Sequence, residues 1–420
     1  MREMKDSGIE WIGNVPKIWS LKPIRALFDE VTEKNFLGTC SNALKFTYGS
    51  IVRKHNFDAD ADDYVASTIL NYTVVEPGTI MLNGLNLNFD FVSQRIGLVK
   101  EKGVITSAYM AFKPNEKQLI DSEFATYLFK AYDGCKAFHN MGGGVRKILN
   151  FNEFKKYYIP LPDLNEQQHI VDLLDTQCSE IDATAEDIQK EISLLEDYKK
   201  SVITEAVTKG LNPDAEMKDS GIEWVGKVPV TWKIMPNKYI MTKKKVIKEV
   251  YDDENIISLS MNGVIVRDLE AGGKMPKTFD GYQIVYPGNL LMCLFDYDVT
   301  PRCIGLIKDY GVTSPAYSQF VMNNDNYSGY YYYYYLMIDH AKTLLHLAKN
   351  LRHSFTEEQL GAILAPVPTV EEQYQIVNYL DSKCSEIDTL IADKKRQLDI
   401  LADYKKSLIY EYVTGKKEVI

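Results

Sequence analysis

The sequence predicts an α+β protein built as a tandem repeat. Two similar mixed α/β domains are joined by two long antiparallel coiled-coil helices, with a pseudo-two-fold relation between the halves. Three observations predict this. Met4 to Trp11 reads MKDSGIEW, and Met217 to Trp224 reads the same eight residues. Cys178-Ser-Glu-Ile-Asp182 recurs as Cys384-Ser-Glu-Ile-Asp388, and Asp197-Tyr-Lys-Lys-Ser201 as Asp403-Tyr-Lys-Lys-Ser407. Heptad patterning fills the segment around each of these later motifs. The first pair is offset by 213 residues and the others by 206, so the middle of the first half is seven residues longer. A period this long excludes a solenoid and leaves two domains of one plan.

Each half opens on the repeated octapeptide. The copies continue through Gly13/Gly226, Val15/Val228, Pro16/Pro229 and Trp19/Trp232, and this element holds all four tryptophans. Short β-like runs follow. Tyr72-Thr-Val-Val-Glu-Pro-Gly78 parallels Tyr282-Gln-Ile-Val-Tyr-Pro-Gly288, a strand ending in a Pro-Gly turn. Gly103-Val-Ile-Thr-Ser-Ala-Tyr109 parallels Gly311-Val-Thr-Ser-Pro-Ala-Tyr317, and Gly144-Val-Arg146 parallels Asn350-Leu-Arg352. Asn150 and Thr356 then read as caps of short helices. Residues 330–335 are six consecutive tyrosines. They read as a helix face packed on the sheet with some rings left in solvent; a base-stacking platform is the other reading.

Pro160-Leu-Pro162 and Pro366-Val-Pro368 mark joints, because flanking prolines stop regular structure. After them Leu174, Ile181, Ile188, Leu195 and Val202 recur every seven residues, with Cys178, Ala185 and Ile192 between. Leu380, Ile387, Leu401 and Leu408 repeat the pattern with Cys384, Ile391 and Leu398, and Lys394 interrupts it. Gly210 with Pro213, and Gly415, supply stop signals. The pairing of the two helices with each other is the economical reading; two amphipathic helices on separate domains is the alternative. The resulting division is a domain at 1–162, a helix at 163–212, a domain at 213–368 and a helix at 369–420.

Composition narrows the class. The chain has 420 residues, enough for two to four domains, and 45% hydrophobic content supports real cores. Its six cysteines form no CxxC pair, so reduced thiols in a cytosolic protein are expected. The charged start lacks a signal-peptide core, and no apolar run is long enough to span a bilayer. The net charge of −10 is concentrated: residues 163–216 carry net −10 alone, whereas 16–160 carry net +3 and 229–366 net zero. Local basic clefts on the two middle domains are therefore compatible with the acidic total.

The DSGIEW(I/V)G…P…W opening, the P-x-P…Glu-Gln helix start (Glu166-Gln167, Glu372-Gln373), the DYKKS segment and the doubling of the whole set resemble the specificity subunits of type I restriction-modification enzymes. The resemblance spans the full chain. It implies that each middle domain is a target recognition domain reading one half of a split sequence in double-stranded DNA. It also implies that the helices set the spacing. Two modification subunits holding S-adenosylmethionine, and restriction subunits using ATP and Mg, would be the partners. No cofactor, catalytic centre, metal or membrane contact is expected of this chain itself. The sequence agrees: it has no Asp/Asn-Pro-Pro-aromatic tetrapeptide and no GxxxxGK[ST] loop. The nuclease-like string Pro213-Asp214…Glu216-Met217-Lys218 reads as chance, because its carboxylates are too close in sequence for two adjacent strands. A standalone sequence-specific DNA-binding or bridging protein is the rival reading.

Base reading needs Arg, Lys, Asn or Gln, and phosphate contact needs cations, hydroxyls or backbone N–H groups. In the first domain the candidates fall in three loops. One runs from Lys45 through Tyr48 and Arg53 to Lys54. The second holds Asn86, Asn88 and Gln94. The third carries Gly143, Arg146 and Lys147, where three glycines let the backbone approach a phosphate; an ordinary flexible turn is the plainer reading. The counterparts in the second domain are Asn262 and Arg267, then Tyr297 and Arg302, then Asn350, Arg352 and His353.

Overall fold

The computed structural model describes residues 2–54, 68–87, 94–144, 147–270, 276–348 and 353–419. Its helices are α1 (Ser122–Gly134), α2 (Phe151–Phe154), α3 (Leu164–Lys209), α4 (Asn237–Ile240), α5 (Ser328–His340), α6 (Glu357–Ala362) and α7 (Val370–Val413). Two compact units form: Met1–Ile188 with Arg396–Ile420, and Gln189–Lys395. Each long helix thus gives its first half to one unit and its second half to the other.

The first unit is built on a four-stranded antiparallel sheet. Its spatial order is Phe28–Glu30, Met110–Pro114, Ile80–Leu82 and Ile96–Leu98. Ile80-Met81-Leu82 is buried throughout because both faces are covered. Ile80 and Leu82 face the core that holds α1, whereas Met81 faces a second cluster with Leu44, Val75, Val99 and Ile105. Helix α1 starts where Asp121 accepts the N–H groups of Glu123 and Phe124. Its buried residues Phe124, Leu128, Phe129 and Tyr132 recur at helical spacing. Phe129 meets Phe112 edge-on at 5.6 Å and Phe154 at 5.3 Å.

The second unit repeats the plan. Its sheet runs Met241–Lys244, Ser318–Met322, Leu290–Met292, Ile304–Leu306. Leu290 and Met292 face the helical core and Leu291 the other cluster. The six tyrosines lie on α5. Tyr330, Tyr331, Tyr333, Tyr334 and Tyr335 are buried and Tyr332 is half-buried, so the expected solvent-exposed rings are absent. The reason is that α5 is covered on several sides: Tyr330 donates to the Val207 carbonyl, Tyr333 to Asp381, and Tyr334 to the Leu364 carbonyl. Asn150 and Thr356 cap α2 and α6, Thr356 in a capping box with Gln359. Pro160 and Pro366 do not break structure; each lies in a two-stranded ladder, Tyr158–Leu161 with Ser20–Pro23 and Leu364–Val367 with Lys233–Pro236. A two-stranded ladder is all edge, where a missing N–H is tolerated.

The repeated motifs serve packing. Asp6 and Asp219 accept the N–H of the glycine two residues on, and Ser7 and Ser220 that of the isoleucine. Lys5 and Lys218 bind two carbonyls each, at Lys17 and Trp19, and at Val230 and Trp232. The indole N–H of Trp19 then donates to Glu166 at 2.9 Å, and that of Trp232 to Glu372 at 3.2 Å, fixing the start of each long helix. The neighbouring Gln167 and Gln373 are fully buried and bind the Pro162 and Pro368 carbonyls.

Within each unit the helix halves pair. Leu174, Ile188, Val202, Leu380, Ile387 and Leu408 are buried, and Ile181, Leu195 and Leu401 partly so. In the first unit Asp182 accepts from Lys405 at 2.6 Å. In the second Asp388 accepts from Lys199 at 2.6 Å, and Glu191 pairs with Lys394 at 2.5 Å. Those last two pairs run in opposite sense along α3 and α7, so the halves are antiparallel. The CSEID aspartate of one helix meets the DYKKS lysine of the other, once in each unit.

Candidate nucleic-acid interface

The predicted loops converge in each unit. In the first, Lys45, Tyr48 and Arg53 belong to the hairpin Leu44–Thr47/Ser50–Arg53. Tyr48 and Gly49 have φ of 49° and 73°, the two-residue turn with positive φ at both positions. This turn holds the Tyr48 ring out, 81% exposed. Arg53 pairs with Glu101 at 2.9 Å on the surface, and Lys54 continues the strand with its N–H on the Ala43 carbonyl. The hairpin tip lies beside Gln94: a side chain at Gly49 would stand 3.7 Å from the Gln94 Cβ. Tyr48 and Gln94 line a groove together with Tyr127 of α1, Asp182 of α3 and Lys405 of α7.

The second loop meets the third. Leu87 donates to the Lys147 carbonyl at 3.2 Å and Leu149 to the Gly84 carbonyl at 2.9 Å. The approach is close enough that a Cβ on Gly84 would stand 2.3 Å from the Leu149 oxygen, so glycine is required there. Asn86 is exposed at φ 50°, Gly143 is exposed, and Lys147 is half-buried at φ 42°. Asn88 and Arg146 lie outside the described residues.

The second unit repeats the convergence with other chemistry. Its hairpin, Ile257–Ser260/Gly263–Val266, exposes Met261 and Asn262 at the tip. Arg267 follows it with its N–H on the Ile256 carbonyl. Two candidates differ from expectation. Tyr297 is only 4% exposed, its ring packed edge-on against Phe355 at 5.1 Å, and burial holds its phenol above the ordinary range. It supports the loop and presents no face to a ligand. Arg302 is half-buried, donating to the carbonyls of Ile304 at 3.2 Å and Met261 at 3.0 Å and to the Tyr332 hydroxyl. Those bonds tie the hairpin tip to α5. His353 pairs with Asp298 at 2.9 Å, and its carbonyl accepts from Tyr297. Asn350 and Arg352 lie outside the described residues.

Sequence reasoning missed four buried or half-buried groups behind these loops: Arg95, Asp133, Asp339 and Lys342. A signal existed, since Asp133-Gly-Cys-Lys136 and Asp339-His-Ala-Lys342 share Asp-x-x-Lys at the 206-residue offset.

Two units of one plan, each with an exposed hairpin tip, make a tandem scaffold. Comparison with known proteins shows what the chain is similar to. Residues 21–194 match the type I restriction modification DNA specificity domain. The chain is 23% identical over 424 residues to the type I restriction enzyme MjaVIII specificity subunit of Methanocaldococcus jannaschii, covering 96% of this chain and 94% of that protein. It is 21% identical to the putative MjaX specificity subunit of the same organism, over 97% and 96% of the two chains. Among solved structures it resembles a chain from a study of complex assembly and conformational transition of the type I R-M system, with a TM-score of 0.69, 13% identity and coverage of 96% and 99%. It also resembles the HsdS subunit of Thermoanaerobacter tengcongensis, with a TM-score of 0.50, 15% identity and coverage of 96% and 98%. Over residues 21–194 the chain is thus similar to a DNA specificity domain, and over nearly its whole length it is similar to specificity subunits of type I restriction enzymes.

Proposed function

We propose that each unit reads one half of a bipartite DNA target through its hairpin tip and the two loops joined behind it. The observation that carries this reading is their recurrence. The same three chain segments meet in both units although their side chains differ, as Tyr48 against Met261 and Gln94 against Arg302 illustrate. One frame with two sets of tip residues suits two different half-sites. Lys45, Tyr48, Arg53, Lys54, Asn86, Gln94, Gly143 and Lys147 serve the first; Asn262, Arg267 and His353 serve the second. Asn88, Arg146, Asn350 and Arg352 join them on sequence grounds alone. Arg302 acts by holding the tip.

The repeated helices offer equivalent surfaces to two modification subunits, which would bring S-adenosylmethionine; restriction subunits would bring ATP and Mg. With little net positive charge on the recognition segments, the chain alone binds DNA weakly. Specific, salt-sensitive binding appears once modification subunits are present. Titrating labelled target DNA with the chain, with and without modification subunits, at two salt concentrations tests this. Nanomolar specific binding by the chain alone at physiological salt would favour a standalone DNA-binding protein instead.

A further inference from the structure

We propose that Asp133 and Asp339 are positioning residues for half-site reading: each anchors, from inside its unit, the loop that precedes the last strand of the sheet. The inference rests on the half-site reading above. The two aspartates stand at equivalent places near the ends of α1 and α5, and both are 3% exposed. Each accepts the backbone N–H of the residue just before that last strand, from Arg95 at 2.8 Å in one unit and from Cys303 at 2.7 Å in the other.

A cation beside each aspartate then reaches the loop carbonyls. In the first unit it is Arg95 itself, 7% exposed. Its guanidinium donates to the carbonyls of Asn83 and Leu85 at 2.8 Å and of Asn86 at 3.3 Å. In the second it is Lys342, bonded to Asp339 at 2.7 Å and to the Thr300 carbonyl at 2.7 Å, with its ammonium over the Tyr297 ring. The cation comes from different places in the two units, the residue just before a strand in one and the turn after a helix in the other. The outcome is the same: a buried carboxylate, a backbone N–H and a cation gripping loop carbonyls. A fixed backbone is what base discrimination requires, because a bidentate contact tolerates little displacement.

A buried carboxylate and cation also cost desolvation, so well-packed apolar residues would hold a merely structural joint at least as well. The carbonyl bonds are what apolar residues cannot supply. They fix the direction of the peptide groups on either side of Asn86 and at Thr300.

The test uses the full chain assembled with its modification subunits, read by sequencing the methylated sites of host DNA. Arg267→Ala first identifies the half-site read by the second unit. Asp339→Asn keeps an acceptor for the Cys303 N–H and removes the charge that holds Lys342; Lys342→Met removes the cation directly. Each is expected to raise methylation of sites mismatched in that half-site at least tenfold relative to the cognate site, with the other half-site unchanged. Lys342→Arg should restore selectivity, and Asp133→Ala, which removes the acceptor of the Arg95 N–H, should relax only the opposite half-site. Unchanged selectivity in both Asp339→Asn and Lys342→Met, while Arg267→Ala alters one half-site, overturns the positioning role and leaves the half-site reading standing. No half-site effect from any variant, Arg267→Ala included, overturns both. Equal relaxation at both half-sites also overturns the proposal. If Asp339→Asn fails to fold, Lys342→Met decides alone.

Discussion

Gly415 carries a constraint that no other residue could meet. Its φ is +69°, and a Cβ there would stand 2.4 Å from the Pro16 ring and 3.0 Å from Trp19. The end of α7 is seated on the first copy of the octapeptide element in this way, with Tyr410 donating to the Trp11 carbonyl at 2.9 Å. Gly415→Ala is expected to destabilise the protein by about 1–3 kcal/mol, through left-handed strain plus overlap. Gly134→Ala, at a helix end with nothing within 4 Å, should be close to neutral. Denaturant melts of the two variants check this, and equal stabilities would show that the ring contact carries no weight. The candidate site was partly legible at this scale. The exposure of Tyr48 follows from local turn chemistry, because a hairpin puts its two tip residues into solvent. Tyr297 was misjudged and Asp133 overlooked for one reason: whether a polar residue faces water is decided by elements distant in sequence.

The repeated helical motifs explain each other only when the elements are paired. Asp182 meets Lys405 and Asp388 meets Lys199, both partly exposed. Such pairs are worth about 0.2–1 kcal/mol each and specify register more than stability. Asp182→Lys should lower stability by placing like charges together, and Asp182→Lys with Lys405→Asp should recover it. A double-mutant cycle that returns no coupling would remove the pair from the account. Helix α5 makes a second prediction. Burial raises the phenols of Tyr330 and Tyr335 well above their usual range. A folded-state pKa above the unfolded value means the stabilisation is complete below about pH 10 and is lost as pH rises beyond it. The second unit should therefore unfold on alkaline titration, with tyrosinate absorbance and loss of near-ultraviolet dichroism appearing together. Ionisation of the 28 tyrosines with the fold intact would contradict this.

For the whole molecule, the proposed half-site reading predicts a length rule. Both long helices run through the division between the compact units, α3 at Ile188 and α7 at Lys395. Residues after 198 are a poor place for an insertion, because Val202, Ile203, Ala206 and Val207 are buried in the second core. Four residues inserted into both helices at the division add about 6 Å and nearly keep the helical face. The two half-sites should stay the same while the unread spacer grows by one or two base pairs, at about 3.4 Å per step. Two residues inserted into both should rotate the seam by about 200° and abolish assembly. Methylome sequencing distinguishes the outcomes, and an unchanged spacer with full activity in the four-residue variant would mean that the helices do not set the distance.

The sequence by itself determined the tandem plan, the long helices with their heptad seam and stop signals, and the capping of α2 and α6. All of these are written in local period, in turn chemistry or in direct repetition. Only the tertiary structure decided that the tyrosine run is core, that Arg302 and Tyr297 face inward, and that the octapeptide element seats helix ends through Trp19, Trp232 and their glutamates. It also decided that the CSEID and DYKKS motifs pair across helices. The physical reason is separation along the chain. Trp19 and Glu166 are 147 residues apart, and Lys405 and Asp182 are 223 apart. No local pattern can encode such a partner; it follows from which apolar faces close on each other.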